Sequence, residues 1–263
     1  MTLIPPPQAI DSDSFANLLP TLKLIATDLD GTLTRQQQFT PLLLERLEQL
    51  EAAGLAVLIV TGRSAGWVSA LVYYLPVRGA IAENGGIFFH KTQTQPIALT
   101  PIADWASHRQ SLYHIFAQLQ ARLPQIQESA DNRFRLTDWT FDVQGLSLAE
   151  LDWLQQTCKA SGWGFTYSTV QCHIRPKLQD KAPALKAVLQ THFAPVLPEA
   201  VLTVGDSPND ESLFERAQFP HSVGVANLAD YCDRLHHQPA YITRLAEADG
   251  FSELVEKILA GRR

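Results

Sequence analysis

Short apolar runs separated by helix-like segments are the feature that most constrains the fold of this 263-residue chain. The runs are brief, almost wholly apolar and bounded by polar turn residues, which is typical of strands covered on both faces. The segments between them carry helix signals, since Thr40 and Pro41 precede one segment and Gly54 follows it. Strand, helix and strand in this order predict an α/β fold with a parallel sheet and right-handed crossovers. The four clearest runs are residues 22–26, 55–60, 79–82 and 200–204.

The pattern changes in the middle of the chain, where the elements read as helix, strand, strand, helix, strand and strand. This order predicts a small α+β domain, residues 90–175, inserted into a core domain of residues 21–89 and 176–263. We expect residues 1–20, which include three consecutive prolines, to be a poorly ordered or loosely docked tail.

Composition narrows the class of protein. The chain is 46% hydrophobic and 18% charged, as in soluble globular proteins, and no apolar run reaches the roughly 18 residues of a membrane span. The net charge of −6 argues against nucleic acid as a partner, but it does not exclude a small anionic substrate. The three cysteines are widely spaced and form no C-x-x-C pair, which favours a reducing, cytoplasmic location. The oligomeric state is left open.

Two aspartates directly follow the first apolar run. Asp28 and Asp30 therefore lie where the predicted strand ends, and in open α/β sheets ligands bind beyond the carboxyl ends of strands. Alternate residues of an extended chain point the same way, so both carboxylates can face one pocket, where Mg²⁺ would offset their repulsion. One carboxylate could act as a nucleophile while the other moves protons. A plain surface turn at Asp30-Gly31 is the alternative.

Polar clusters also follow other predicted strands. Thr61 and Gly62 offer a hydroxyl group and free N–H groups at the start of a helix, which is a ready anion site. Asp206 and Asp210 add two carboxylates after a later strand. Lys181, at the start of the helix that follows the insert, could neutralise an anionic group as a mobile point charge.

Each of these residues also has an ordinary explanation. Thr61 can cap the next helix, and Lys181 can be a solvated surface lysine. Ser207 and Asp210 have the spacing of a capping box. Because the carboxyl ends of parallel strands share one edge of a sheet, clusters on several strands can converge. Their joint occurrence favours a site for Mg²⁺ and phosphate.

In order and spacing, these residues resemble the four motifs of the haloacid dehalogenase-like (HAD) phosphohydrolases. They resemble most the type IIB subgroup, whose long cap lies between the second and third motifs. That subgroup includes the Cof-type phosphatases, sucrose-phosphate phosphatase and mannosyl-3-phosphoglycerate phosphatase. The resemblance covers about residues 22–250 and implies a Rossmann-like parallel-sheet core domain with an inserted α+β cap domain. The motifs are Asp28-Leu29-Asp30-Gly31-Thr32, Thr61-Gly62-Arg63, Lys181 and Gly205-Asp206-Ser207-Pro208-Asn209-Asp210, and Glu83-Asn84-Gly85-Gly86 is a further similar stretch.

The resemblance implies a role for each motif residue. Asp28 would be the catalytic nucleophile, which forms an aspartyl-phosphate. Asp30 would protonate the leaving alcohol and then activate water, and Lys181 would hold the phosphate and orient Asp28. The phosphate-binding residues would be Thr61, Gly62, Lys181 and Asn209. The Mg²⁺-binding residues would be Asp28, Asp30 through its backbone carbonyl, Asp206 and, in support, Asp210.

The sequence leaves the substrate open, and family analogy favours a phosphorylated sugar or sugar derivative. Alternation along residues 165–175 predicts a polar and aromatic face that includes Tyr167, His173 and Arg175, although a plain solvent face explains it equally well. Candidate substrate-binding residues are Arg63 and Asn84 on the core rim and His173 and Arg175 on the cap. Further cap candidates are Arg133, Arg135 and Gln171, with Tyr167 and Trp139 as sugar platforms, though aromatic residues at such spacings more often belong to a core.

Three functions are compatible with this site. The first is a Mg²⁺-dependent phosphatase that hydrolyses a small phosphate ester through Asp28. The second is a phosphotransferase or nucleotidase on the same site, and the third is a regulatory subunit that binds a phosphorylated ligand without turnover. The complete catalytic set favours an enzyme. The position of the insert also predicts that it closes over the core, excludes water and selects the substrate.

Overall fold

The computed structural model describes residues 6–262 and contains a nine-stranded sheet and a separate three-stranded sheet. The strands are β1 (Gln8–Ala9), β2 (Leu24–Thr27), β3 (Ala56–Val60), β4 (Gly79–Ala82), β5 (Ile87–His90), β6 (Ile97–Ala98), β7 (Trp139–Asp142), β8 (Trp163–Tyr167), β9 (Gln171–Pro176), β10 (Val201–Gly205), β11 (His221–Gly224) and β12 (Tyr241–Ile242). The order in the large sheet is β1-β12-β11-β10-β2-β3-β4-β5-β6. Its pairings from β1 to β4 are parallel, and β5 and β6 continue it antiparallel. The predicted parallel sheet is confirmed.

Helices cover both faces of the large sheet. The α-helices are α1 (Asp13–Leu18), α2 (Pro41–Ala52), α3 (Ala65–Tyr74), α4 (Trp105–Arg122), α5 (Leu148–Ala160), α6 (Lys181–His192) and α7 (Glu247–Gly261). Successive residues of a strand point to opposite faces. Ile25 therefore packs with α1, α2, α3 and α7, whereas Leu24 and Ala26 pack with α6. Within residues 6–262, the structure has no helix with both the length and the apolar character that crossing a bilayer requires.

The three-stranded antiparallel sheet belongs to the insert, which we predicted as residues 90–175 and call the cap domain. Within those bounds β6 instead pairs in the large sheet, and β9 continues to Pro176. The strand order of the three-stranded sheet is β7-β9-β8, and α4 and α5 pack on one face of it. Leu112, Phe141, Leu154 and Ile174 are buried together in a cluster separate from the two clusters of the large sheet. The cap domain therefore has its own hydrophobic core, and its other sheet face is left for contact with the core domain.

The N-terminal segment is more ordered than we expected. β1 pairs in parallel with β12, and α1 buries Phe15 and Leu18 against the large sheet. The expectation of a loosely docked tail is therefore wrong for residues 8–18, while residues 1–5 lie outside the described residues. β12 does not lie at the edge of the large sheet, because β1 pairs with it on its outer side.

The alternation predicted for residues 165–175 holds along β9, where His173 and Arg175 share one face and the buried Ile174 lies on the other. It is wrong for β8, because this stretch is a hairpin rather than one strand. Cross-strand partners share a face of a sheet, and Tyr167 pairs with Cys172 while Thr166 pairs with His173. The chain reverses between β8 and β9, so Tyr167 lies on the face of the cap core and not beside His173. A one-residue change of register moves every side chain to the opposite face, and the turn decides this register.

Candidate active site

Asp28 directly follows β2 at the carboxyl edge of the parallel sheet and is only 3% exposed. Lys181, the first residue of α6, donates from Nζ to Asp28 Oδ1 at 2.7 Å and to Asp210 Oδ1 at 2.6 Å. Burial opposes the charge of this lysine, but the charges of Asp210 and Asp28 raise its pKa above the ordinary value. Lys181 is therefore a buried cation that links two of the predicted site carboxylates, not a solvated surface lysine.

Asp206 and Asp210 follow β10 and are fully buried. Asp210 Oδ2 accepts hydrogen bonds from the backbone N–H groups of Asp206 at 3.0 Å and Ser207 at 3.2 Å, so the capping box is present. The other oxygen of Asp210 binds Lys181, which shows that the capping role and the site role coexist. Asp206 accepts from Thr32 Oγ1 at 3.3 Å and from Asn227 Nδ2 at 3.0 Å.

Three of these carboxylates form a compact group. Asp28, Asp206 and Asp210 each offer an oxygen atom that lies within 4.8 Å of the others. Three carboxylates and one lysine leave a formal charge of −2 in a buried site. Burial accordingly raises the pKa of Asp28 to about 7, although Lys181 lowers it, and burial raises the pKa of Asp206 well above its ordinary value. An excess of buried carboxylate oxygen fits a hard divalent cation such as Mg²⁺.

The side chain of Asp30 lies outside this group. Its two oxygens accept hydrogen bonds from Arg63, whose guanidinium also lies 4.8 Å from the centroid of the Trp67 ring. The predicted general acid is therefore held separately from the three clustered carboxylates. Of the residues that we predicted to bind the metal, Asp30 could take part only through its backbone carbonyl.

The predicted phosphate loop follows β3. Thr61 is buried, and its Oγ1 accepts a hydrogen bond from the backbone N–H of Arg63 at 3.1 Å. At the start of α3, the N–H of Ala65 is already donated to the carboxylate of Glu83 at 2.9 Å. The anion site that we predicted at this helix start therefore has one N–H group fewer than the sequence suggested. Gly62, which has no side chain, lies between Thr61 and Arg63 and exposes only backbone to a ligand.

Asn209 and Asn84 form a chain of side chains beside this loop. Ser207 Oγ donates to Asn209 Oδ1 at 2.7 Å, and Asn209 Nδ2 donates to Asn84 Oδ1 at 3.1 Å. Asn84 has a left-handed backbone, with φ of 53°, and is 1% exposed. Its Nδ2 is buried and has no partner within residues 6–262. A donor left unpaired next to the phosphate loop is suited to an anionic ligand.

The cap domain lies directly over these residues. Its open sheet face contributes His173 and Gln171 from β9, and Arg135 donates from Nη1 to the backbone carbonyl of Gly62 at 2.9 Å. Core and cap together line a narrow, partly open cavity of about 10 Å³, roughly the space of one water molecule. The cavity is lined by Asp28, Asp30, Thr61, Gly62, Arg63, Ser168, Val170, Gln171, His173 and Asn209.

Several predicted substrate-binding residues lie elsewhere. Arg175 contacts Gln179 O and Asp180 and lines a different cavity, of about 370 Å³. Arg175 therefore lies outside the catalytic cavity, two residues beyond His173 along β9, and its role in substrate binding stays a prediction. Arg133 is exposed. Trp139 and Tyr167 pack in or against the cap core, so they do not form a sugar platform over the catalytic cavity.

Sequence reasoning missed several residues of this site. Asn227, which orients Asp206, lies just beyond β11 at the same sheet edge, and that position was the available signal. Glu83 directly follows β4, in the similar stretch named from the sequence, so its position was signalled but its contacts with the cap were not. Asp138 has no such signal, since it acts through contacts within the cap. Those contacts depend on how the insert docks and on nothing local in the sequence.

A parallel sheet with a nucleophile-like aspartate, a lysine and a threonine at its carboxyl edge, beneath an α+β cap, defines a HAD-like phosphohydrolase of the type IIB subgroup. A family model described as sucrose-6F-phosphate phosphohydrolase matches residues 21–256, and the chain belongs to this family. The resemblance read from the motifs is confirmed.

Known proteins agree with this assignment. Phosphoglycolate phosphatase 1 of Saccharolobus solfataricus is 28% identical over 247 residues, which cover 91% of this chain and 97% of the relative. The sucrose-phosphatase structure from Synechocystis sp. PCC6803 shares the fold, with a TM-score of 0.64, 21% identity, and 90% and 98% of the two chains covered. A HAD subclass IIB sugar phosphatase also shares it, with a TM-score of 0.64, 17% identity and coverage of 89% and 98%. The protein is a phosphoric monoester hydrolase.

Proposed function

We propose that this phosphatase is Mg²⁺-dependent and hydrolyses a small phosphate monoester, a phosphorylated sugar or sugar derivative, through an aspartyl-phosphate on Asp28. The observation that carries the proposal is the buried contact of Asp28 with Lys181 inside the three-carboxylate group. One oxygen of Asp28 is held by the lysine, and the other accepts no hydrogen bond within residues 6–262. A carboxylate held in this way is oriented for attack and keeps a free lone pair.

In the first step, an Asp28 oxygen attacks phosphorus while the bond from phosphorus to the ester oxygen breaks. Asp30 gives its proton to that leaving oxygen, and the alcohol departs. In the second step, the Asp30 carboxylate takes a proton from water as the water oxygen attacks phosphorus. The bond from Asp28 to phosphorus then breaks and releases inorganic phosphate. Lys181 and the N–H groups of the Thr61 loop offset the charge on the phosphoryl oxygens.

Asp28, Asp206 and the backbone carbonyl of Asp30 would hold Mg²⁺, with Asp210 fixing the position of Asp206 through its backbone N–H. When bound, the ion supplies positive charge to phosphoryl oxygens and offsets the formal charge of −2 in the carboxylate group. Asn227 and Thr32 already orient both oxygens of Asp206, as is usual around a metal ligand.

The leaving group has two candidate chemistries. The family description supports a sugar phosphate, whereas curated relatives named phosphoglycolate phosphatase support a small phosphorylated acid. The catalytic cavity of about 10 Å³ is smaller than either leaving group, so we infer that the cap moves or rearranges for substrate entry. This supports the prediction of a closing cap.

The test is a phosphate-release assay of the purified protein with Mg²⁺ on phosphorylated sugars, nucleotides and small phosphorylated acids. We expect release from one class, slowed at least about 10³-fold by Asp28→Asn. The exposed Asp142→Asn is the matched control, and it should keep the wild-type rate. Label from ³²P-substrate should appear on the protein and be released by hydroxylamine, as for an acyl phosphate.

Other outcomes would favour the other functions. Transfer of phosphate to a competing alcohol as the main product would indicate a phosphotransferase. Preference for nucleotides would indicate a nucleotidase. Saturable binding of an ester without any phosphate release would contradict the proposed catalysis and indicate a regulatory subunit.

A further inference from the structure

His173 is a cap side chain that packs against the phosphate loop. It is 1% exposed and lines the catalytic cavity together with Asp28 and Asp30. Its ring packs against the Cα of Gly62, since a Cβ atom built there would lie 2.9 Å from His173 Cε1 and 3.1 Å from Nε2. A leaving group attached to a phosphate in the Thr61–Gly62 loop would therefore meet this ring.

The hydrogen bonds of His173 determine what its free nitrogen offers. Nδ1 lies 2.9 Å from Asp138 Oδ2, and an ionised carboxylate only accepts hydrogen bonds, so Nδ1 carries the hydrogen. Burial opposes ionisation of Asp138, but Arg135 and then His173 lower its pKa below the ordinary value. In the neutral ring, Nε2 therefore bears a lone pair and is a hydrogen-bond acceptor.

The surroundings keep the ring neutral. Arg135 donates from Nη1 to both oxygens of Asp138, at 2.9 and 3.0 Å, so the charge of this carboxylate is already paired. Burial, with the nearby charges of Arg135 and Lys181, lowers the pKa of His173 despite the raising effect of Asp138. A positive charge on the His173 ring would be unfavourable beside Arg135 and Lys181.

Within residues 6–262, the cations at this cavity are already paired with carboxylates. Arg63 is the arginine that lines it, and Asp30 occupies two of its N–H groups. Lys181 is held between two carboxylates. Arg135 directs all of its donors at protein acceptors, which are Asp131, Asp138, Gln171 and the carbonyl of Gly62.

From this arrangement we propose that His173 determines leaving-group preference, because its Nε2 accepts a hydrogen bond from a hydroxyl group of the substrate. The proposal rests on the proposed phosphatase function and extends it to the substrate class. A substrate hydroxyl group places its hydrogen between its own oxygen and Nε2 of His173. A carboxylate at the same position brings its own lone pairs against that of Nε2, and the cations nearby are already paired with carboxylates of the protein. Hydroxylated leaving groups are therefore preferred over carboxylated ones of the same length.

The test compares two esters that differ only at this position, 2-hydroxyethyl phosphate and 2-phosphoglycolate. We expect the wild-type kcat/KM to favour 2-hydroxyethyl phosphate at least about tenfold, the size of one well-placed hydrogen bond to a substrate hydroxyl. His173→Leu should lower this ratio about tenfold or more. His173→Gln, whose amide oxygen can still accept, should retain part of it and also guards against a fold defect in the leucine variant.

Thr166→Val is the matched control, since Thr166 is the cross-strand partner of His173 on the same face and lies outside the catalytic cavity. It should keep the wild-type ratio. Suppose that p-nitrophenyl phosphate is hydrolysed. A wild-type preference for 2-phosphoglycolate, or an unchanged ratio in His173→Leu, would then overturn this inference and leave the proposed phosphatase function standing. If the wild-type protein hydrolyses none of the three esters, the proposed function is wrong and the inference fails with it.

Discussion

Arg63 donates two parallel hydrogen bonds to the carboxylate of Asp30, from Nε at 2.7 Å and from Nη2 at 2.6 Å. Burial opposes the charge of Arg63, but its hydrogen bond and attraction to Asp30 raise its pKa above the ordinary value. The two residues follow neighbouring parallel strands, so the sheet register brings them together. The pair holds the predicted general acid at the cavity wall, apart from the clustered carboxylates.

Replacing Arg63 tests whether this contact positions Asp30. Lysine cannot make two parallel hydrogen bonds, so Arg63→Lys should lower kcat for an alkyl phosphate about 10–100-fold. The loss should be smaller for p-nitrophenyl phosphate, because p-nitrophenolate leaves without a proton from Asp30. Steady-state kinetics on both esters provide the measurement, with the exposed Arg78→Lys as control. Equal losses on both esters would contradict a role through the proton of Asp30.

Binding of Mg²⁺ should stabilise the fold, because it offsets the charge of three buried carboxylates. At about 100 times its Kd, a ligand that binds only the native state adds about 2.7 kcal/mol to the free energy of unfolding. We expect thermal unfolding with saturating MgCl₂ to occur at higher temperature than with EDTA. Asp206→Asn should remove most of this shift, and the exposed Asp142→Asn should keep it. If MgCl₂ raises the unfolding temperature of Asp206→Asn as much as that of the wild type, Asp206 is not a Mg²⁺ ligand.

Gly31 is required for two reasons that can be tested separately: its left-handed backbone and the space that Asp206 occupies beside it. Its φ is 77°, and a Cβ atom there would lie 2.3 Å from Asp206 Oδ2. Gly145 has a similar φ of 83°, but a Cβ atom there would have no atom of a non-neighbouring residue within 4 Å among residues 6–262. Gly145→Ala therefore costs only the left-handed backbone, about 1–2 kcal/mol. Gly31→Ala should carry the same backbone cost. By displacing Asp206, it should also raise the Mg²⁺ concentration needed for half-maximal activity about 10–100-fold. Equal Mg²⁺ titrations of activity in both variants would refute the second effect.

Glu83 joins the core and cap domains. Its buried carboxylate accepts from the N–H of Ala65 at 2.9 Å, the N–H of Leu136 at 3.0 Å, and the N–H and Oγ1 of Thr137 at 2.6 and 2.7 Å. In Glu83→Gln an NH₂ group would face some of these donors, which should cost about 1–3 kcal/mol. Hydrogen exchange at residues 136–137 should become faster. The exposed Glu45→Gln is the control, and unchanged exchange in Glu83→Gln would contradict the docking role.

His173 should make the cap less stable in acid. Burial lowers its folded-state pKa below the ordinary 6.5, and Asp138, Arg135 and Lys181 are the charged groups around it. The unfolded chain therefore binds more protons near pH 6, so the stabilisation is present above about pH 6.5 and is lost as pH falls through the folded pKa. Between about pH 7.5 and pH 5, the free energy of unfolding should decrease more for the wild type than for His173→Gln. Urea titrations at both values provide the measurement, and parallel decreases would contradict it.

Much of the core site was predictable from the sequence. Asp28, Asp206 and Thr61 follow apolar runs whose length and flanking turns identify strands, and parallel strands present their carboxyl ends at one edge. Their proximity follows from the topology and needs no detailed packing. Lys181 was less certain from the sequence, since only its burial between Asp28 and Asp210 distinguishes it from a surface lysine.

The cap side was not predictable in the same way. The turn between β8 and β9 decides whether Tyr167 or Thr166 lies beside His173, and the alternation of the sequence cannot reveal where a strand reverses. Arg175 lies on the expected strand but reaches a different cavity. The contacts of Glu83 and Arg135 arise only when the insert docks on the core.

The sequence by itself determined the parallel sheet, the insert and the order of the acidic and basic groups along one edge, because local hydrophobic patterns specify strands and helices. Tertiary structure alone decided that Arg63 pairs with Asp30, that Asp138 fixes the ring of His173, and that β1 covers β12. These contacts join residues far apart in the chain, and their geometry is set by sheet register and domain docking.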